Sequence, residues 1–224
     1  MPLARIADKI LFFAHIPKTG GASVEAYMAS KGRIALHYPF RQGWSRSTSQ
    51  HMHAAIHRRL VSETFCDQSF SILRDPMERL QSEYRYRRGR GETTFDFNPW
   101  ARLMLGLMQS DPYTLDNHMR PQADFLRWNM RVFDFARGLD PVFDWIDAFT
   151  ATASAARNIR KNVSPSQEVE IADDVADLTA RLYGTDMALI AALRGAGAGP
   201  GEPLNNVRAK TLEARMMAST ILNT

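Results

Sequence analysis

The sequence predicts an α/β fold in three layers, a central parallel sheet flanked by helices. Two apolar runs carry the prediction, Ile10–Ala14 and Ser69–Leu73. Each reads as a buried strand, and each empties into a turn that opens a helix. Strands separated by helices argue for parallel pairing, with ligands bound beyond the carboxyl ends of the strands.

The elements follow in order along the chain. The first strand spans Ile10–His15, and a helix from Gly21 to Ser30 follows, with Val24, Tyr27 and Met28 at helical spacing. Residues 31–52 are polar, basic and rich in Ser and Gln, which reads as a long functional loop. A short helix is expected over His53–Leu60, then the second strand over Ser69–Leu73. Asp75 serves as N-cap of the next helix, Pro76 takes its first position, and Glu78 completes a capping-box-like pair. Met77, Leu80 and Tyr84 form the packed stripe of that helix. Further helices are expected over Pro99–Met108, Gln122–Trp128, Pro141–Thr150 and Val175–Leu193, with a third strand over Arg131–Ala136. Gly195–Gly201 reads as a linker that divides the chain into a domain over 1–194 and a tail over 195–224. The tail holds a last helix over 207–222, which packs on the body or makes a homo-oligomer; both stay open.

Bulk properties exclude several classes. With 224 residues, 45% hydrophobic and 23% charged, the chain is globular and large enough for a substantial core. No apolar stretch approaches the roughly 20 residues of a membrane helix, and the start lacks the apolar run of a secretory signal. One cysteine, Cys66, excludes an internal disulfide and offers no metal-site spacing. A cytoplasmic protein without membrane insertion is therefore expected. The net charge of +4 is uneven: Lys31–Leu60 carries +6 and Arg74–Arg90 carries +3, leaving −5 elsewhere. Such concentration focuses anionic ligands, unless it is simply a solvated basic face.

Residues 15–23, His-Ile-Pro-Lys-Thr-Gly-Gly-Ala-Ser, form the most informative segment. A strand, a Lys/Gly turn and a helix start make an anion cradle from backbone N–H groups, the helix dipole and the Lys18 ammonium. The nucleotide phosphate loop GxxxxGK[ST] places its lysine after the glycines. Here Lys18 precedes Gly20 and Gly21, so the ligand is phosphate-like but the protein is not an ordinary ATPase.

HIPKTGGAS together with ILRDPMERLQSEYRYRR at 72–88 resembles the carbohydrate sulfotransferases, a group that includes the heparan and dermatan 2-O-sulfotransferases and bacterial relatives. The resemblance runs over roughly residues 10–190. It implies a P-loop nucleotide-kinase-like fold, 3′-phosphoadenosine 5′-phosphosulfate (PAPS) as donor, and no metal. Lys18, Thr19, Gly20, Gly21, Ala22 and Ser23 would hold the 5′-phosphosulfate, with Lys18 stabilising the leaving phosphate oxygen. Arg74 and Ser82 match the positions that bind the 3′-phosphate, and an arginine grips phosphate as a two-pronged donor. The alternatives are a structural salt bridge for Arg74 and a plain exposed serine for Ser82. His51-Met52-His53 resembles the family's His-x-His, whose second member is the base, so His53 is the first choice and His51 the second.

A zinc reading of His51, His53 and His57 lacks supporting spacing, and His15 is expected to bond backbone. His118, Arg120 and Gln122, within a stretch resembling an N-H-x-x-P-Q segment, are candidates for the acceptor side; a polar loop capping the next helix is the other reading. Arg160, Lys161, Asn162 and Ser164 resemble the late loop that closes over the nucleotide. Trp44, Tyr84, Tyr86, Trp100 and Trp128 are candidates for stacking, or for core and rim. The family's vertebrate members carry a Golgi anchor and lumenal disulfides, so their absence here implies a bacterial-type enzyme acting on a small-molecule or glycan acceptor. Two other classes compete: a phosphotransferase using ATP, which needs a magnesium-binding acid at a strand end, and a nucleic-acid binder using Arg85, Arg87, Arg88 and Arg90. Sulfuryl transfer to a hydroxyl, without nucleic acid as partner, is the reading that uses both motifs.

Overall fold

Alternation along the second strand sorts the core into two faces. Leu11 and Phe13 point to one side, Phe12 and Ala14 to the other, and all four are fully buried. The computed structural model describes residues 1–37, 41, 43–127, 129–153, 169–195 and 201–211. Its six-stranded sheet runs β3 (Arg33–Ala35), β1 (Leu3–Ile6), β2 (Lys9–Ala14), β4 (Gln68–Leu73), β5 (Arg131–Asp134), β6 (Glu202–Pro203). The centre, β2-β4-β5, is parallel, with Phe13 opposite Phe70 and Ile72 opposite Phe133. The expected central parallel sheet is present, and antiparallel strands β1, β3 and β6 extend it at its edges. β1 and β2 form a hairpin that the charged start of the chain disguised; Ala7 takes a positive φ of 50° in its turn.

One face of the sheet packs α1 (Gly21–Lys31) and α5 (Asp140–Thr150), which contribute Val24, Tyr27, Val142 and Ile146. The other face packs α7 (Gly184–Gly195), Phe125 and Met52, and also receives Leu204 and Val207 from the helical residues 204–211. The described part of the tail therefore lies on the body: Leu204 N–H donates to Met130 at 2.8 Å. A satellite core joins α3 (Pro76–Gly89), α4 (Phe97–Ser110) and α6 (Asp173–Leu182) around Tyr84, Trp100 and Leu105.

Three expectations change. The helix over 175–193 is two helices, α6 and α7, separated at Tyr183, whose hydroxyl donates to Met119 at 2.6 Å. Gln122–Trp128 shrinks to a single 3₁₀ turn, Gln122–Phe125, and Trp128 lies outside the described residues. The third strand stops at Asp134, which turns to cap Ala136 N–H at 3.0 Å. Asp75 does cap α3, accepting from Met77 and Glu78 N–H at 3.0 and 3.1 Å. The capping-box partner does not form: the Glu78 carboxylate faces Arg74 at 3.4 Å instead. Within the described residues, no helix is long and apolar enough to cross a membrane.

Candidate active site

β2 and β4 are hydrogen-bonded neighbours, so the two loops at their carboxyl ends emerge side by side. The first loop needs both of its glycines. Gly20 has φ +84°, and a Cβ there would meet the Phe135 and Leu139 side chains at 3.0 to 3.2 Å. A Cβ on Gly21 would stand 2.1 Å from His15 Nε2. Thr19, fully buried, donates its hydroxyl to Ile16 carbonyl at 2.9 Å. Lys18 adopts a left-handed φ of 69° and lays its ammonium 4.0 Å above the Tyr86 ring on α3.

Arg74, at the end of β4, donates from a guanidinium nitrogen to the Lys18 carbonyl at 3.1 Å. The two motif segments, more than fifty residues apart, thus share one crevice. Arg74 also lies over Phe135, 4.5 Å from the ring centre. Burial pulls the Lys18 ammonium below the usual lysine range; Glu83 opposes this, while Arg74, Arg87 and Arg85 add to it. Arg74 is lowered mainly by burial as well, with Glu78 opposing. Lys18 thus lies within electrostatic reach of three arginines and of Glu83. Ser82 is half-buried on the same helix. Ala22 and Ser23 open α1, and Ser23 N–H donates to Gly20 carbonyl at 3.0 Å. Arg160, Lys161, Asn162 and Ser164 lie outside the described residues.

Beside the crevice three histidines stack. His51 meets His15 and His118 edge to face, with ring centres 4.9 and 4.8 Å apart. Each presents Nδ1 to a carboxylate: His15 to Glu25, His51 to Asp116 at 2.8 Å, His118 to Glu83 at 2.7 Å. His15 therefore bonds a carboxylate and not backbone, as was expected. Gln50 holds both Glu25 oxygens at 2.8 Å. Arg87 Nε holds Glu83 at 2.6 Å, and Thr48 holds Asp116 through its N–H and hydroxyl at 2.6 and 2.7 Å. Burial lowers His51 to about 3 despite Asp116, and Glu83 falls to about 2 because His118 and Arg87 outweigh its burial.

The neighbouring backbone is unusual. Leu115, Asp116 and Asn117 take φ of 52°, 58° and 64° in succession, a left-handed run that costs energy in non-glycine residues. It is held in place by Asn117, fully buried, which donates to His51 carbonyl at 2.8 Å.

The remaining sequence candidates are placed as follows. His53 faces Tyr113, ring centres 5.5 Å apart, with burial and then Arg120 lowering it to about 4. Arg120 is buried, bonded to Asn117 at 2.9 Å and Asp124 at 3.0 Å. Gln122 is fully buried and braces the Arg74 backbone, accepting from its N–H at 2.9 Å and donating to its carbonyl at 2.7 Å. His57 sits in the core against Phe12 and Phe125, so His51, His53 and His57 diverge and hold no common ion. Trp100 and Tyr84 belong to the satellite core, whereas Trp44 is 65% exposed. The arginines proposed for nucleic acid are engaged within the chain: Arg87 and Arg90 with Glu92, Arg88 with the Thr94 and Phe95 carbonyls.

Sequence reasoning missed the three carboxylates and Tyr86 as the rest for Lys18. Glu83 had a signal: it lies four residues from Arg87, the spacing of helical ion pairs.

An open cavity of about 600 Å³ adjoins the stack through Asp116 and is lined also by Arg41, Arg46, Thr48, Arg87 and Tyr113. A sheet with parallel centre, a glycine loop after one strand and an arginine after its neighbour together define an α/β protein of P-loop-like build. The chain belongs to the sulfotransferases: the family described as "Sulfotransferase family" matches residues 5–175. No curated protein and no solved structure matches the chain.

Proposed function

We propose that this sulfotransferase moves a sulfuryl group from PAPS to a hydroxyl of a carbohydrate acceptor. The observation that supports it best is the 3.1 Å bond from Arg74 to the Lys18 carbonyl. It supports the reading by joining the loop suited to a 5′-phosphosulfate directly to the arginine suited to a 3′-phosphate. The acceptor oxygen attacks sulfur, the sulfur–oxygen bond to the 5′-phosphate breaks, and adenosine 3′,5′-bisphosphate leaves. Lys18 offers charge where the phosphate oxygen becomes anionic. Thr19, Gly20, Gly21, Ala22 and Ser23 form the cradle. Ser82 joins Arg74 on the 3′-phosphate, and Arg160, Asn162 and Ser164 keep the nucleotide-closing role the resemblance gives them.

The acceptor's proton goes to the His-x-His pair. We favour His51 over His53, because His51 is oriented by Asp116 and lies in the stack, whereas His53 turns toward Tyr113. The acceptor enters through the 600 Å³ cavity, within the range of small-molecule sites. His118 lies on that side, Arg120 supports it through Asn117, and Gln122 braces Arg74 on the donor side. An ATP-using alternative would need a strand-end carboxylate for magnesium; Asp75 caps α3 and Asp134 is tied to Ala136 and Arg194. Calorimetric titration with adenosine 3′,5′-bisphosphate tests the donor assignment, and failure to bind it overturns the proposal. Release of that nucleotide from PAPS in the presence of candidate glycans tests the transfer.

A further inference from the structure

His51 and His118 meet in a way that suits more than proton transfer. One ligand atom from each of His51, Asp116 and His118 lies within 4.8 Å of the other two. Ligands on one tetrahedral zinc stand roughly 3.4 Å apart, so rotations of the two rings by about an ångström at their edges bring the set together. We propose that these three side chains form a binding site for a divalent transition metal of the zinc type.

Three observations support it. First, the His118 Nδ1 is held by Glu83 at 2.7 Å, and Glu83 is itself fixed by Arg87 at 2.6 Å. A carboxylate on one imidazole nitrogen aligns the ring and leaves the other nitrogen free for a metal, which is how proteins prepare histidine ligands. Second, Asp116 is held beside the rings, and ligation would exchange its bond with His51 for one to the ion. Oδ2 receives His51 and the Thr48 hydroxyl, while Oδ1 receives the Thr48 N–H. Third, Asp116 lines the 600 Å³ cavity, which gives an ion a route in. Two imidazoles with one carboxylate oxygen select zinc, cobalt, nickel or copper over magnesium or calcium. His15 is excluded by its placement, since its Nε2 packs over Gly21.

This set differs from the His51, His53 and His57 triple considered on sequence, and it revises the expectation that the chain holds no metal. No step of sulfuryl transfer passes through the ion. A bound ion would take the His51 lone pair that the proposed function gives to the acceptor's proton, so the metal-loaded form is one that does not transfer.

The test is titration of chelator-treated full-length protein with Co²⁺, followed by visible ligand-field absorption, and with Zn²⁺ by calorimetry. One equivalent is expected to bind. His118→Ala should weaken binding at least about 100-fold. Glu83→Gln, which keeps the shape of the side chain, should weaken it about 10- to 100-fold. His53→Ala should leave it unchanged. Circular dichroism and thermal melting check folding, and Glu83→Gln decides the matter if His118→Ala does not fold. Wild-type affinity in Glu83→Gln and His118→Ala, or no binding tighter than millimolar in the parent, overturns the proposal. The readout needs no turnover, so it stands or falls separately from PAPS.

Discussion

Arg74→Ala separates donor recognition from mere support of the loop. In the free protein the substitution removes one hydrogen bond to Lys18 and a ring contact with Phe135. Each contributes about 1 kcal/mol. The Glu78 pair is 3.4 Å long with Glu78 half exposed, and it adds little. A stability loss of about 2 kcal/mol lowers Tm by roughly 4–8 °C in a chain of this size, so the variant should still fold. Binding is affected differently. A guanidinium gripping a phosphate contributes about 3 kcal/mol through charge-assisted bonds, a loss of roughly 100-fold in affinity. That loss should appear for adenosine 3′,5′-bisphosphate and shrink to less than about 3-fold for adenosine 5′-phosphate, which lacks the 3′ group. Arg74→Lys, keeping charge without the fork, should fall between. Calorimetry with both nucleotides on the three proteins makes the comparison. Equal losses for the two nucleotides would refute 3′-phosphate recognition and leave Arg74 as a brace for the Lys18 loop.

Gly21→Ala should drive a methyl group into His15 and cost about 1–3 kcal/mol, seen as a lower melting temperature together with weaker nucleotide binding. His51→Ala should reduce turnover about 10²- to 10⁴-fold with donor affinity nearly intact, because a proton acceptor contributes to rate. His53→Ala should retain most turnover, and the reverse ranking would return the role to His53. Acid should unfold the protein in a way that Glu83 reports. Its folded value of about 2 lies below the ordinary 4.5, so its contribution is present above pH 4.5 and disappears as pH falls toward 2. That contribution is on the order of 3 kcal/mol, and Glu83→Gln should remove it, flattening that part of a chemical-denaturation pH series. His51 and His57, which burial keeps neutral down to about 3, add acid sensitivity from pH 6.5 downward in both proteins.

The pairing of the Lys18 loop with Arg74, on which the proposed donor site rests, was legible because its signals are local. Glycines, a lysine and a helix start follow one apolar run, and Arg74 with the Asp75 cap follows the other. Short-range chemistry of that kind survives without knowledge of the fold. The histidine side was not legible in the same way. Its partners lie 10, 65 and 35 residues away, from Glu25 to His15, Asp116 to His51, and Glu83 to His118, and only the folded chain joins them. Choosing between His51 and His53 also required the backbone: residues two apart share a face only in an extended chain, and the turn at His51 sends it to Asp116 while His53 goes to Tyr113. β1 was hidden by a charged, short sequence whose alternation buries only Ala4 and Ile6 fully. Gln122 looked like a recognition residue because its stretch resembles an N-H-x-x-P-Q segment. Its actual employment, bridging Arg74 while Asp186 takes the Gln122 and Ala123 N–H groups at 2.7 and 2.9 Å, depends on a helix some sixty residues later.

The parallel pairing of β2 with β4 has an evolutionary corollary. Backbone ladders, indifferent to side-chain identity, set the span between the Lys18 and Arg74 turns. The imidazole side hangs instead on irregular stretches around 41–53 and 111–120. Changes in those stretches can therefore reshape the imidazole side while the spacing of the Lys18 and Arg74 turns, set by the ladder, stays as it is.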